Sequence, residues 1–364
     1  MLQLILAGIL ALPALLFSVI ASIVVGVLSL PSMAVLKFRK PNKIDKNDKH
    51  KTHAIITGGS SGIGLAVAKG CVKKGIDRVT ILARNQDKLN QCQQSLESLE
   101  STTKIHTVSV DVTDANALET VASKVLSDSN ETVYLFCCAG TAKPGKFTEL
   151  SPNVFQQQMQ TNYLGSVYTI HAFLPLMARG TIVMTSSAGG QVGVFGYTAY
   201  APSKFALRGF AECLHMELLD KDIHVQLVYP PDTDTPGYLE ENKDKPHETH
   251  LISETMALIQ PEQVANRMVN EATSHNPKFA VYFALEGWML STLTAGMSPE
   301  NSYIDAVAQV SLMGLLRMLS FFFLNDFWRI IANYQKQSPG EKMEQDYGST
   351  KKQEDRPKTG RTAD

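Results

Sequence analysis

Four side chains in the middle of the chain have the types and spacing to move a proton. Tyr200 and Lys204 are four apart in Tyr200-Ala201-Pro202-Ser203-Lys204. Ser187 closes the run Thr181-Ile182-Val183-Met184-Thr185-Ser186-Ser187, and Asn162 lies upstream. A free tyrosine titrates near pH 10 and is a sluggish acid at neutrality. An ammonium at about 4 Å would stabilise the phenolate by roughly 4 kcal/mol at an intermediate dielectric, or about three pKa units. That brings the phenol into range for proton transfer. Ser187 could hydrogen-bond the same reacting oxygen. With 11 tyrosines among 364 residues, one Tyr-x-x-x-Lys arises readily by chance, so the reading depends on the elements around it.

Those elements are legible. The β-branched run at 181–185, bounded by Gly180 and Gly189, predicts a buried strand. Phe205, Leu207, Phe210 and Leu214 then recur at helical spacing, with Pro202 in the first turn. Tyr200 and Lys204 therefore share one face of a helix, a turn apart. Upstream, a helix is predicted over 152–177. Asn162 within it either bends the helix and binds water or faces solvent.

A second constellation binds phosphate. Ala54-Ile55-Ile56 reads as a strand running into Thr57-Gly58-Gly59-Ser60-Ser61-Gly62-Ile63-Gly64, after which Leu65, Val67, Ala68 and Cys71 open a helix. Gly58, Ser60, Ser61, Gly62, Ile63 and Gly64 thus form a candidate pyrophosphate cradle, with the helix N-terminus favouring the anion. A second strand at 79–84 ends on Arg84, with Lys88 four residues on. An acid here would suit the ribose hydroxyls of NAD, whereas two cations suit the 2′-phosphate of NADP; they could also be a solvated helix start. A third strand at 105–110 ends at Asp111, which could read an adenine or cap the next helix. A fourth at 133–137 precedes Ala139-Gly140, and a sixth at 225–229 follows the catalytic helix.

Strand and helix alternate from Ala54 to Tyr229, which predicts an α/β fold with a doubly wound parallel sheet of Rossmann type. With Thr57-Gly58-x-x-x-Gly62-x-Gly64, Asp111, Ala139-Gly140, Asn162, Ser187 and Tyr200-x-x-x-Lys204 in order, the chain resembles the short-chain dehydrogenase/reductase superfamily over roughly residues 52–285. The resemblance implies that Tyr200 protonates a carbonyl oxygen during NADPH-dependent ketone reduction. Lys204 would lower the phenol's pKa and hold the nicotinamide ribose. Ser187 would orient the substrate oxygen; the family's usual spacing of about thirteen residues before the tyrosine selects it over Ser186. Asn162 would position a water in the proton relay, and Thr235 would contact the nicotinamide or phosphates. Cys137-Cys138 departs from the family's usual Asn-Asn, and the loop at 230–237 from its usual Pro-Gly turn. That loop, the stretch at 162–168 and the apolar N-terminus are similar to the superfamily's membrane reductases of long-chain 3-keto sphingoid bases. This implies a long-chain lipid ketone as substrate and the endoplasmic reticulum as location. Steroid or retinoid reduction, and a cofactor-binding scaffold without turnover, are the rival readings.

Composition bounds the rest. A net charge of −1 gives no sign of nucleic acid, and Cys71, Cys92, Cys137, Cys138 and Cys213 have no metal-ligand spacing. Residues 1–36 carry no charged side chain and read as an uncleaved membrane anchor, with a signal peptide or embedded hairpin as the alternatives. Residues 37–51 form a basic linker of the kind that stays cytoplasmic, so the body should face the cytosol. After the reductase unit at 52–285, charged residues 240–250 could form a lid, 251–259 an apolar helix over the substrate, and 278–284 the last strand. Apolar stretches at 287–297 and 306–324 follow within a C-terminal hydrophobic region, 286–334. Arg317 within the second argues for an interfacial or bundle-packed helix over a span. Dimer or core packing is its other use, and a homo-oligomer is compatible. Residues 335–364 read as a disordered polar tail.

Overall fold

The computed structural model describes residues 16, 19–28, 50–99, 101–126, 130–254, 258–300 and 302–336. Most of the expected N-terminal anchor, the basic linker up to residue 49 and nearly all of the polar tail lie outside them. A short apolar helix, α1 (Val19–Leu28), falls within them.

The first half alternates strictly. The order is β1 (Thr52–Thr57), α2 (Gly62–Lys74), β2 (Arg78–Ala83), α3 (Gln86–Glu97), β3 (Lys104–Ser109), α4 (Ala115–Val125) and β4 (Thr132–Cys137). Then come α5 (Pro152–Gln158), a π-helical turn (Met159–Leu164), α6 (Gly165–Phe173), β5 (Arg179–Thr185), α7 (Tyr200–Glu217) and β6 (Asp222–Val228). The seven strands, with β7 (Ala280–Val281), are parallel in the order β3-β2-β1-β4-β5-β6-β7. The order reverses between β1 and β4, so a crevice opens beyond their carboxyl ends. One core lies on each face. Val67, Cys71 and Met268 are in one, and Leu118, Phe173 and Leu207 in the other. This explains why β1, β4 and β5 read as unbroken apolar runs rather than alternating ones.

Three expectations change in detail. The helix over 152–177 is not continuous, because the π-turn inserts a residue at its middle and a 3₁₀ turn ends it at Leu176. The last strand is two residues long, since it lies at an edge behind Pro277 and turns at Phe283 into α11 (Ala284–Leu293). Among the described residues, helix within 251–259 is confined to the end of α9 (His247–Ser253), which follows α8 (Pro236–Asn242), and Ile259 pairs in a bridge with Thr233. After α10 (Pro261–Ala272) and α11, the second apolar stretch, 306–324, lies within a single longer helix, α12 (Tyr303–Lys336). Few residues of its apolar window are buried, which excludes a place inside this chain's own core.

Candidate active site

β5 delivers its carboxyl end to the crevice, and α7 starts there. Ser187 follows the strand and caps a short turn, its Oγ accepting from the Gly189 N–H at 3.1 Å. Its hydroxyl also hydrogen-bonds the Tyr200 phenol. Ser186 instead is buried and donates to the Lys204 carbonyl at 3.0 Å, tying strand to helix. The two serines therefore have separate jobs, and Ser187 is the one that faces the tyrosine. Tyr200 keeps part of its surface open.

Lys204 is buried, with its Nζ 2.9 Å from the Thr185 carbonyl, to which it donates, and 5.7 Å from the Tyr200 ring centroid. The expected lowering of the phenol does not appear in the free chain. Burial pushes the Tyr200 hydroxyl well above its ordinary value, the Ser187 hydrogen bond opposes this, and Glu241 and Asp232 push it further up. Burial also brings Lys204 down to about 8. The ammonium is spent on a backbone carbonyl, and desolvation of the phenol outweighs its field.

Asn162 sits at the heart of the π-turn with no exposed surface, so the solvent-facing alternative is excluded. Its Nδ2 donates to the Thr141 carbonyl at 2.9 Å and to Ser203 Oγ at 2.9 Å, and its Oδ1 accepts from the Thr141 N–H at 2.8 Å. The side chain thus clamps the loop after β4 to the residue before Lys204. A Cβ placed on Gly140 would lie 3.1 Å from Asn162 Oδ1 and 3.4 Å from Lys204 Nζ, so all three meet at one point. The sequence had no signal for the clamp, because Thr141 and Ser203 are unremarkable polar residues until the fold joins them.

The glycine turn is built for close approach. Gly58 has φ +66°, and a Cβ there would fall 2.8 Å from the Ala139 Cα. A Cβ on Gly64 would fall 2.4 Å from the Gly58 carbonyl oxygen. Ser61 is the N-cap of α2 and makes no side-chain cap, and there is no acid in the first turn. The helix N-terminus, with Ser60, Gly62 and Ile63, is left open to an anion. Thr235 caps α8 through its Oγ1, which accepts from Tyr238 N–H at 3.1 Å, and its methyl group lies 3.3 Å from where a Cβ on Gly62 would be. The loop after β6 therefore closes over the turn.

Beyond β2 and β3 a shallow pocket is lined by Arg84, Ser109, Val110, Asp111, Ala117, Thr120 and Val121. Arg84 is largely exposed and stands 3.7 Å from Asp111. Asp111 does not cap α4, since Asp114 does so; its Oδ1 accepts from the Thr113 N–H and hydroxyl, both at 2.9 Å. Lys88 is exposed on α3 and does not line this pocket. Glycine cradle, open helix terminus and an exposed guanidinium at the second strand, loosely paired with Asp111, fit a dinucleotide carrying a 2′-phosphate.

Cys138 takes a hydrogen bond from Thr185 Oγ1 at 3.5 Å where the sheet ends, and burial raises its thiol to about 11. It packs rather than reacts. Sequence reasoning also missed Tyr197, whose ring lies 5.6 Å from that of Tyr200 and whose hydroxyl donates to Glu241.

Residues 52–246 match the short chain dehydrogenase family. A 3-dehydrosphinganine reductase of Danio rerio is 44% identical over 319 residues, covering 86% of this chain and 94% of that protein. A 3-ketodihydrosphingosine reductase of Mus musculus is 45% identical, covering 79% of this chain and 88% of that protein. A 3-dehydrosphinganine reductase of Arabidopsis thaliana is 36% identical, covering 78% and 86%. Among solved structures, an actinorhodin polyketide ketoreductase with NADPH matches with a TM-score of 0.55 at 25% identity, over 62% of this chain and 90% of that one. L-Sorbose reductase of Gluconobacter frateurii, complexed with NADPH and L-sorbose, matches with a TM-score of 0.57 at 25% identity, over 65% and 95%.

Proposed function

The chain belongs to the short-chain dehydrogenase family, and on that premise we propose that it is an NADPH-dependent ketone reductase converting 3-ketodihydrosphingosine to dihydrosphingosine in sphingolipid synthesis. The observation that carries this is the 44–45% identity to vertebrate proteins named 3-dehydrosphinganine reductase and 3-ketodihydrosphingosine reductase, over 88–94% of their length.

The cofactor's diphosphate would rest on Gly58, Ser60, Ser61, Gly62, Ile63 and Gly64, with its 2′-phosphate on Arg84 and its adenine beside Asp111. Thr235 would close over the nicotinamide end, and Lys204 would hold the ribose next to it. When bound, NADPH supplies a hydride for the carbonyl carbon. Tyr200 gives its phenolic proton to the carbonyl oxygen, which Ser187 holds by a second hydrogen bond. The Lys204 ammonium steadies the phenolate this leaves behind, and Asn162 fixes the backbone along which a water re-protonates it.

The reductase unit spans about 52–285. It works on the cytosolic face of the endoplasmic reticulum membrane, a placement supported by the excess of Lys and Arg over residues 37–51 beside the apolar N-terminus. The N-terminal segment anchors the chain, and α12 brings the domain onto the lipid surface where a long-chain ketone resides.

The test is NADPH oxidation by membranes containing the chain. NADPH-selective turnover of 3-ketodihydrosphingosine, exceeding that of a steroid ketone and of retinal, is the expected result. Turnover of a control ketone alone would overturn the substrate.

A further inference from the structure

Beside the catalytic tyrosine lies a buried cluster that the hydride and proton transfers do not use. Tyr197, one turn before Tyr200, donates its hydroxyl to Glu241. Glu241 lies near the end of α8 with its side chain only 13% exposed. Lys245, in the turn to α9, has a fully buried side chain with Nζ 3.3 Å from Glu241 Oε1. The same Nζ lies 4.6 Å from the Tyr238 ring centroid and 5.9 Å from that of Tyr197. It makes no well-directed hydrogen bond among the described residues. Asp232, on the loop after β6, hydrogen-bonds the Tyr238 hydroxyl. One carboxylate, Glu241, and two aromatic faces therefore meet the ammonium, and a second carboxylate, Asp232, stands behind them on the Tyr238 hydroxyl.

Such a surround is what recognises a primary ammonium: carboxylate oxygens for its N–H groups and ring faces for its charge. Lys245 shows that the cage accepts one. The cage also belongs to the reacting centre, because the Tyr197 and Tyr200 rings touch, and both Glu241 and Asp232 act on the Tyr200 phenol. Burying a lysine whose contact with a carboxylate is a single one at 3.3 Å is costly unless the arrangement serves something else.

We propose that Glu241, with Asp232 and the faces of Tyr197 and Tyr238, binds the ammonium on the carbon next to the substrate carbonyl, and that Lys245 fills this subsite in the free protein. This rests on the reading of the substrate as an amino ketone. Two carbons then separate the amine from the oxygen that Tyr200 protonates, a span that the neighbouring Tyr197 and Tyr200 rings match. Lys245 moves out with the α8–α9 connection when substrate enters. Glu241 is thus a specificity residue: it separates an amino ketone from a steroid or retinoid carbonyl of similar apolar bulk.

The experiment compares 3-ketodihydrosphingosine with its des-amino analogue, the same 1-hydroxy-3-ketone lacking the amine, on the full chain in vesicles. The wild-type protein is expected to prefer the amino ketone by about tenfold or more in kcat/KM, mostly through KM. Glu241→Gln keeps the bond to Tyr197 and removes the charge, so it should collapse that preference towards one, with NADPH affinity retained. Equal turnover of both ketones by the wild-type protein overturns the subsite without any variant being made. A preference that survives Glu241→Gln overturns the assignment to Glu241. Reduction of neither ketone while NADPH still binds overturns the substrate reading, and the subsite with it.

Discussion

Tyr200 and Lys204 are displaced from their ordinary titration in opposite directions by the same cause. Burial raises the phenol and brings the ammonium down to about 8. Ketone reduction needs the phenol protonated, to give its proton, and the lysine charged, to steady the phenolate. The first condition holds throughout the accessible range, and the second fails as pH rises through about 8. We expect kcat/KM for reduction to be flat below that point and to fall about tenfold per pH unit above it. A profile still flat at pH 9.5 would show that the Lys204 charge is not needed. Tyr200→Phe removes the donor but not the cradle, so activity should drop by at least about a hundredfold while NADPH binding, read by fluorescence, is kept. Arg84 is the residue for cofactor choice. With it changed to alanine, NADPH affinity should weaken about tenfold, roughly 1.4 kcal/mol for a partly solvated charge-assisted contact, and NADH affinity should not. Equal weakening of both would point to a structural role.

The element on which the site depends most is the π-turn at Met159–Leu164. It turns the Asn162 side chain inward to clamp Thr141 and Ser203. Asn162→Ala removes its hydrogen bonds to the Thr141 N–H and carbonyl and to the buried Ser203 hydroxyl, at about 0.5–1.5 kcal/mol each. The apparent unfolding midpoint should fall by several degrees, and kcat should fall more than the KM for NADPH rises; an unchanged midpoint would overturn the clamp. The sequence predicted the alternation of strands and helices, because parallel strands buried on both faces are unbroken apolar runs. It also indicated the glycine turn and the Tyr200/Lys204 pair, because their chemistry depends on local spacing. It could not indicate the π-turn, which arises from one inserted residue in a segment of ordinary helical composition. Nor could it show Glu241 and Lys245 as buried. They occur in a charged stretch resembling a solvated lid, and only the return of α8 and α9 over the crevice covers them.

At the scale of the molecule, the proposed approach to lipid turns on α12. Its 34 residues make a rod about 50 Å long, and its apolar window has a mean hydropathy of 1.7, enough by length and composition to cross a bilayer. Its contacts argue for another posture. Near its start, Asp305 and Gln309 line a small cavity with Arg208 and Tyr282 of the domain. Near its end, Tyr334 stacks on His247 of α9 at 4.7 Å. Between them α1 packs on it, Gly26 lying so close to Ser311 that a Cβ there would fall 2.3 Å from the Ser311 Oγ. A helix held to one domain near both ends cannot also stand upright through about 30 Å of hydrocarbon. It lies along the domain with Val310, Phe321, Phe322, Phe323 and Trp328 facing outward, an apolar aromatic face suited to the lipid interface. Because α9 sits beside the substrate subsite, this face would hold the cleft at the level where an acyl chain leaves the bilayer. Replacing Phe322, Phe323 and Trp328 by glutamate removes about 1.5–3 kcal/mol of burial at each position. The KM for vesicle-borne 3-ketodihydrosphingosine should then rise at least tenfold, while that for a short-chain, water-soluble 3-ketone stays within twofold. An equal rise for both would show that α12 shapes the pocket rather than the approach to the membrane.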